Sequence, residues 1–243
     1  MAPAVSEPID AAGGAPAISA AALVQRRLWG TDPQAWAELA EAHNRPLFSA
    51  VLDAARVGPG TAVLDVGCGA GLTLALAAER GALVSGLDVS PGLLGVARRR
   101  LPGADLRDGD MESLPFPDGA FDAPERSQGT AAHEAMNALI PPGQSGDHAP
   151  YALSAPGNLE SALADAGLRV SDAGEVGCCW RYACLEDAFR ALLCSAGGAR
   201  AAEAAGEDAV RDALGPVLAR FQAPFTGVVT MENTFRWVAA NRP

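Results

Sequence analysis

A short apolar run, Ala62-Val63-Leu64-Asp65-Val66, leads into three glycines at alternate positions, Gly67, Gly69 and Gly71. The mainly apolar stretch Leu72 to Glu79 follows, and Arg80-Gly81 closes it. The pattern predicts a buried strand, a glycine turn and a helix ended by a C-terminal glycine. Leu83-Val84-Ser85-Gly86-Leu87-Asp88 reads as a second strand with an acid at its tip. Upstream, residues 20–56 carry helical spacing. Thr31 or Asp32 is placed to cap a helix with Pro33 in its first turn, and Trp36, Leu39, Ala40 and His43 recur along it. Pro46 opens another helix through Leu47, Val51, Leu52 and Ala55. Downstream, Gly157-Asn158-Leu159-Glu160 starts a helix through Ala166, and 168–176 reads as a strand. Helical stretches over 185–195 and 201–221 come next. Phe225 to Val238 alternates as a last strand, with Val228, Thr230, Glu232, Thr234 and Arg236 on one side and Val229, Met231, Asn233, Phe235 and Trp237 on the other.

Strand, glycine turn, helix and second strand make half of a nucleotide-binding βαβ unit. Glycines let the backbone turn tightly and approach a ligand where a Cβ would collide. The helix N-terminus behind them offers free N–H groups and partial positive charge. An acid about 20 residues beyond such a turn accepts hydrogen bonds from ribose hydroxyls, and Asp88 stands there. The spacing is G-x-G-x-G and not the dinucleotide G-x-G-x-x-G. Asp65, just before the turn, repels a pyrophosphate and suits a cationic amino group. A nicotinamide-binding unit is the competing reading.

The segments 61–71, 83–88 and 109–122 together resemble the class I S-adenosylmethionine-dependent methyltransferases, in their small-molecule branch. The resemblance implies an α/β, Rossmann-like methyltransferase sheet with helices on both faces, in strand order 3-2-1-4-5-7-6 with strand 7 antiparallel. It implies S-adenosylmethionine as cofactor. The methionine part would lie in the turn formed by Asp65, Gly67, Cys68, Gly69 and Gly71, and the ribose at Asp88 and Val89. The adenine amino group would meet Asp110, with Met111 against the ring. N-terminal helices would cover cofactor and substrate mouth, so Trp29 and Trp36 either face a ligand or pack in the core.

The likeness covers 61–122 closely and 157–238 loosely. After Gly119–Ala123, which opens as strand 4, no apolar β-branched run appears before Leu168. The chain instead reads as a helix over 130–140 followed by Pro141-Pro142-Gly143. An element of roughly 35–40 residues is missing by the usual size of a βαβ unit, so the sheet is expected to be shortened in the middle. The edge of strand 1 must then pair with strand 7, with 119–123, or with a second copy in a homodimer. The organisation expected is a disordered tail over 1–19, rich in Ala, Pro and Gly, and one methyltransferase-like domain over 20–243. That domain divides into a helical cap (20–57), a cofactor-binding half (58–123), and lid helices with C-terminal strands (124–243).

With 243 residues and 49% hydrophobic content, the chain can bury one sizeable core. A net charge of −11 argues against nucleic-acid partners, which call for a basic face. Arg98-Arg99-Arg100 reads as a solvated helix end where cations suit the dipole. Five cysteines lack zinc spacing, and Cys68 reads as a small residue that fits the turn. The chain shows no signal peptide and no apolar run long enough to span a membrane, which points to a cytoplasmic protein acting on a small molecule. His43, His133 and His148 are the candidate general bases, and none sits in a motif that assigns it. Cys178-Cys179-Trp180-Arg181-Tyr182 reads as a strand end and loop, or as a pocket edge. The function expected is methyl transfer to a small acceptor. The alternative is a degenerate relative that keeps the turn but serves in binding or dimerisation.

Overall fold

The computed structural model describes residues 18–116 and 157–241. The helix and Pro/Gly loop expected between Asp118 and Pro156, with His133, His148 and the opening of strand 4, lie outside these residues, as does most of the N-terminal tail. Helix α1 (Ala20–Trp29) begins at Ser19, whose hydroxyl accepts the Ala22 N–H. Asp32, and not Thr31, caps the next helical run by accepting from Ala35 N–H. That run, Pro33–Asn44, is not uniform: Trp36–Ala40 widens into a π turn and Glu41–Asn44 tightens into a 3-10 turn. Helix α2 (Arg45–Ala54) follows with Pro46 in its first turn, where a missing N–H costs nothing. It ends in a Schellman motif: Arg56 N–H bonds to Asp53 C=O and Val57 N–H to Leu52 C=O. Arg56 supplies the left-handed residue at φ 53°.

Strands β1 (Ala62–Val66), β2 (Leu83–Asp88) and β3 (Asp105–Asp108) form a parallel sheet in the order 3-2-1. Ala62 is level with Leu83, and Gly86 with Leu106. Helices α3 (Leu72–Glu79) and α4 (Pro91–Arg100) are the crossovers. With α2 they cover one face, where Leu52, Val63, Leu72, Leu74, Leu94 and Leu106 share one core.

After α5 (Asn158–Asp165), strands β4 (Arg169–Tyr182) and β5 (Val229–Asn241) form a separate antiparallel pair, with Arg169 opposite Asn241 and Tyr182 opposite Val229. One part of the pair packs Cys178 and Phe235 on Leu47 of α2. Its other end packs Tyr182, Val229 and Met231 against α6 (Leu185–Leu193), α7 (Ala196–Ala205) and α8 (Glu207–Ala219). The fold is thus α/β with a Rossmann-like parallel half.

Several boundaries differ from the sequence reading. Strand β4 runs on through Cys178-Cys179-Trp180-Arg181-Tyr182, so this segment is the strand's end with no loop in it. Strand β5 starts at Val229, after a turn in which Ala223 N–H bonds to Val228 C=O. The helix expected over 201–221 is two helices. Gly206, at φ 86° and ψ 151°, occupies backbone space closed to residues with a Cβ and breaks the run. Among the described residues β1 pairs with β2 alone, and β5 does not reach it.

Candidate active site

The turn after β1 folds as its glycines dictate. Gly67, Gly69 and Gly71 take φ values of 83°, 54° and 82°, all left-handed. Each serves a different end. A Cβ on Gly71 would sit 3.0 Å from the Ala97 Cβ, so this glycine lets α3 approach α4. A Cβ on Gly67 would meet nothing within 4 Å, which leaves an open cradle at the C-terminal end of β1. Over Gly69 lies Trp36, whose Nε1 is 3.9 Å from where a Cβ would stand, and the π turn that carries Trp36 stacks it edge-on to Trp29 at 4.8 Å. The two tryptophans therefore form a wall beside the turn.

Asp88, at the tip of β2 and only 8% exposed, ties the turn to the sheet. Its Oδ2 accepts Gly69 N–H at 2.8 Å and its Oδ1 accepts Ser90 N–H at 2.7 Å. Burial pushes its carboxyl above the usual range, against those bonds and one from the Val89 backbone. At the tip of β3, Asp110 accepts Ser19 N–H at 3.0 Å and Glu112 N–H at 3.1 Å, and the Ser19 and Glu112 bonds hold its carboxyl below the usual range. Met111 beside it is 46% exposed. The structure thus brings Gly67, Gly69, Asp88, Val89, Asp110 and Met111 to the carboxyl ends of three adjacent strands, where ligands bind in open α/β sheets.

Two members of the turn have partners of their own within the protein. Cys68 is 6% exposed, its Sγ lies over Gly86 in the core, and burial pushes its thiol far up. Asp65 shares a hydrogen bond with Thr73; burial first, then the charges of Asp88 and Glu41, push its carboxyl to about 7. A folded value above the unfolded 3.8 means that the native state binds the extra proton, so stability falls as pH rises from about 4 to about 7. The contribution lost is on the order of 3 kcal/mol. Urea midpoints measured from pH 4.5 to 8 should therefore decline, and Asp65→Asn should flatten the decline. A midpoint that rises through this window contradicts the assignment.

Glu41 and Arg100 were not legible as site residues. Glu41 accepts Leu72 N–H at 3.1 Å, which caps the helix that was expected to keep its first N–H groups free. Arg100 donates to Glu41 at 2.7 Å and to the Ala70 carbonyl at 2.9 Å. It is 28% exposed and clamps the turn from behind; it is not part of a solvated end. Only the Ser90-Pro91 pair carried a sequence signal, as a cap followed by proline, and Ser90 does cap α4. His43 donates its Nε2–H to the Arg181 carbonyl at 2.9 Å and stacks edge-on to Tyr182 at 4.8 Å. Burial lowers its pKa. These contacts face the β4–β5 pair and not the turn.

The residues fit an adenosyl cofactor. The open cradle at Gly67 admits a chain that a side chain would exclude, and the carboxylates of Asp88 and Asp110 keep acceptor capacity beyond their bonds within the protein.

Part of the chain is similar to known methyltransferases. Residues 63–133 match the family described as methyltransferase domain. The chain is 45% identical over 64 residues to the malonyl-[acyl-carrier protein] O-methyltransferase of Serratia marcescens, covering 26% of this chain and 25% of that protein. It is 45% identical over 73 residues to the demethylmenaquinone methyltransferase of Renibacterium salmoninarum, covering 30% and 31%. An uncharacterized methyltransferase of Synechocystis matches at 41% over 92 residues, 38% and 42%. The chain therefore spans less than half the length of these relatives. Among solved structures, a putative methyltransferase from Bacillus halodurans aligns with a TM-score of 0.48 at 17% identity, over 81% of this chain and 98% of that one.

Proposed function

We propose that this protein, whose residues 63–133 match the methyltransferase-domain family, transfers a methyl group from S-adenosylmethionine to a small-molecule acceptor. The observation that carries the reading is the open left-handed cradle at Gly67, flanked by Asp88 and Asp110 at the tips of the neighbouring strands. The cofactor supplies an electrophilic methyl on a sulfonium. The protein's task is alignment and exclusion of water, which alone contribute about 7–11 kcal/mol in well-oriented reactions. Gly67 and Gly69 bound the methionine part, Asp88 and Val89 the ribose, and Asp110 with Met111 the adenine. Trp36 closes the side of the turn.

A small acceptor fits a surface with net charge −11, which disfavours nucleic acid. The named relatives act on malonyl-acyl-carrier protein and demethylmenaquinone. All five thiols are free, as expected of a reducing, cytoplasmic setting, and no described helix is long and apolar enough to cross a membrane. A second reading, a non-catalytic binding relative, is favoured by one observation: β1 pairs on one side only among the described residues. Calorimetry with S-adenosylhomocysteine separates a working crevice from a relic. The variant Gly67→Val puts a side chain into the cradle on a Cβ that meets no atom within 4 Å, at a φ of 83° that strains a branched residue, and should abolish micromolar binding. Heat unchanged by that variant would remove the turn from the site.

A further inference from the structure

The glycine turn spends its own N–H groups inside the protein. Those of Gly67 and Cys68 both donate to the Leu87 carbonyl, at 2.7 and 3.1 Å. Gly69 N–H goes to Asp88 at 2.8 Å, and Gly71 N–H to the Cys68 carbonyl at 2.8 Å. Leu72 N–H, the first of α3, goes to Glu41 at 3.1 Å. Ala70, the remaining residue of the stretch, is fully buried. The surroundings are also negative: burial, then the charges of Asp65, Asp88 and Glu41, push the Cys68 thiol up. Residues 67–72 therefore offer no nest of free N–H groups, the usual seat of an anion at such a turn. Yet the amino-acid end of S-adenosylmethionine carries a carboxylate, which needs a donor to leave water.

One unspent donor does stand at the turn. Trp36 Nε1 is 3.9 Å from where a Cβ on Gly69 would lie, and its N–H has no partner among the described residues. The ring is half-buried, and Gly67 on the same turn is exposed. The chain builds this placement deliberately. Glu41 N–H donates to Trp36 C=O, five residues back, which widens Trp36–Ala40 into the π turn. Residues five apart stand about 140° apart round an α-helix. The wider turn narrows that angle, so Trp36 reaches Gly69 while Glu41 caps Leu72. Trp29 then holds the indole edge-on, at 4.8 Å between centroids and 78° between planes. Core packing of the ring leaves this N–H unused. An anion at the turn uses it.

We propose that Trp36 donates its Nε1–H to the carboxylate of the cofactor's amino-acid end, and so makes the site select nucleosides that carry a carboxylate. The inference rests on the S-adenosylmethionine reading of the turn. Indole suits the task because it is a donor only and does not ionise. A cation in its place would be drawn to Glu41 and Asp88 instead.

The test compares S-adenosylhomocysteine with its decarboxylated analogue, S-adenosyl-3-thiopropylamine, on the full chain. Trp36→Phe keeps a ring against Trp29 and removes the N–H. By calorimetry it should weaken S-adenosylhomocysteine binding about 10-fold, as expected for a hydrogen bond to a charged group, and leave the analogue unchanged. In wild-type protein the Trp36 indole N–H resonance should move with S-adenosylhomocysteine and stay with the analogue. An indole resonance that stays while S-adenosylhomocysteine shifts the Gly67 amide overturns the proposal and leaves the cofactor reading standing. Equal loss of both ligands in Trp36→Phe means that the ring only packs, and overturns it as well. A folded wild type that binds neither ligand overturns the cofactor reading and the proposal together. If Trp36→Phe does not fold, the wild-type indole resonance still decides.

Discussion

Arg100→Leu should cost about 3 kcal/mol of stability, the lower end of the range for breaking a buried ion pair because Arg100 keeps some contact with water. The cause is what remains behind. Glu41 is buried, and burial already raises its pKa against the pull of Arg100 and the Leu72 N–H. Without the guanidinium its carboxylate loses its cation, and the Ala70 carbonyl loses a donor. Both defects fall on the peptide that carries Gly69 to Gly71, so cofactor affinity should drop along with stability. Glu41→Leu combined with Arg100→Leu should recover most of the lost stability, because an apolar pair leaves no buried charge. Chemical denaturation of the two single variants and the double variant reads the coupling. Additive losses would mean that the pair does not act as a clamp.

Gly86→Val in the middle of β2 should destabilise by about 3 kcal/mol through overpacking. Even a Cβ at this position would stand 2.7 Å from Leu74 Cδ1, 2.8 Å from Cys68 Sγ and 2.9 Å from Leu106 Cδ2. The leucine tips have some freedom. Cys68 has little, because its N–H is bonded to the Leu87 carbonyl and its flanking glycines are committed to the turn. The valine should therefore also distort the cradle and weaken S-adenosylhomocysteine binding. Removing the sulfur with Cys68→Ala in the same chain should restore part of both. Thermal melts and calorimetry of the single and double variants check this, and a double variant no better than Gly86→Val places the strain elsewhere.

These two residues mark where the sequence could and could not be read. The strand-turn-helix at 62–79 was legible because its signals are local: an apolar run, three glycines in positive φ, and Gly81 closing the helix with a Schellman turn at φ 84°. Asp88 was legible as a strand-tip acid, and Asp110 only through the likeness of its segment. Their present partners, Gly69, Ser90, Ser19 and Glu112, were not. Arg100 looked solvated because it ends a basic triplet, yet it lies 59 residues from the Glu41 it clamps. Nothing periodic links the two. The same distance problem governs the sheet. Alternation located both C-terminal strands, but it does not state whether they join β1, and the structure pairs them with each other. Helices α7 and α8 were merged because Ala-rich spacing runs through Gly206, where only the backbone angle reveals the break. Asp65 was assigned to the cofactor by likeness, and its bond to Thr73 was not legible in the sequence.

The most direct measurement is a calorimetric titration of the full chain with S-adenosylhomocysteine, beside Gly67→Val. Saturable micromolar binding by the wild type, lost in a variant with an unchanged far-UV spectrum, is the predicted result. A folded wild type that releases no heat, or a Gly67→Val protein that binds equally well, would contradict a cofactor site at the glycine turn.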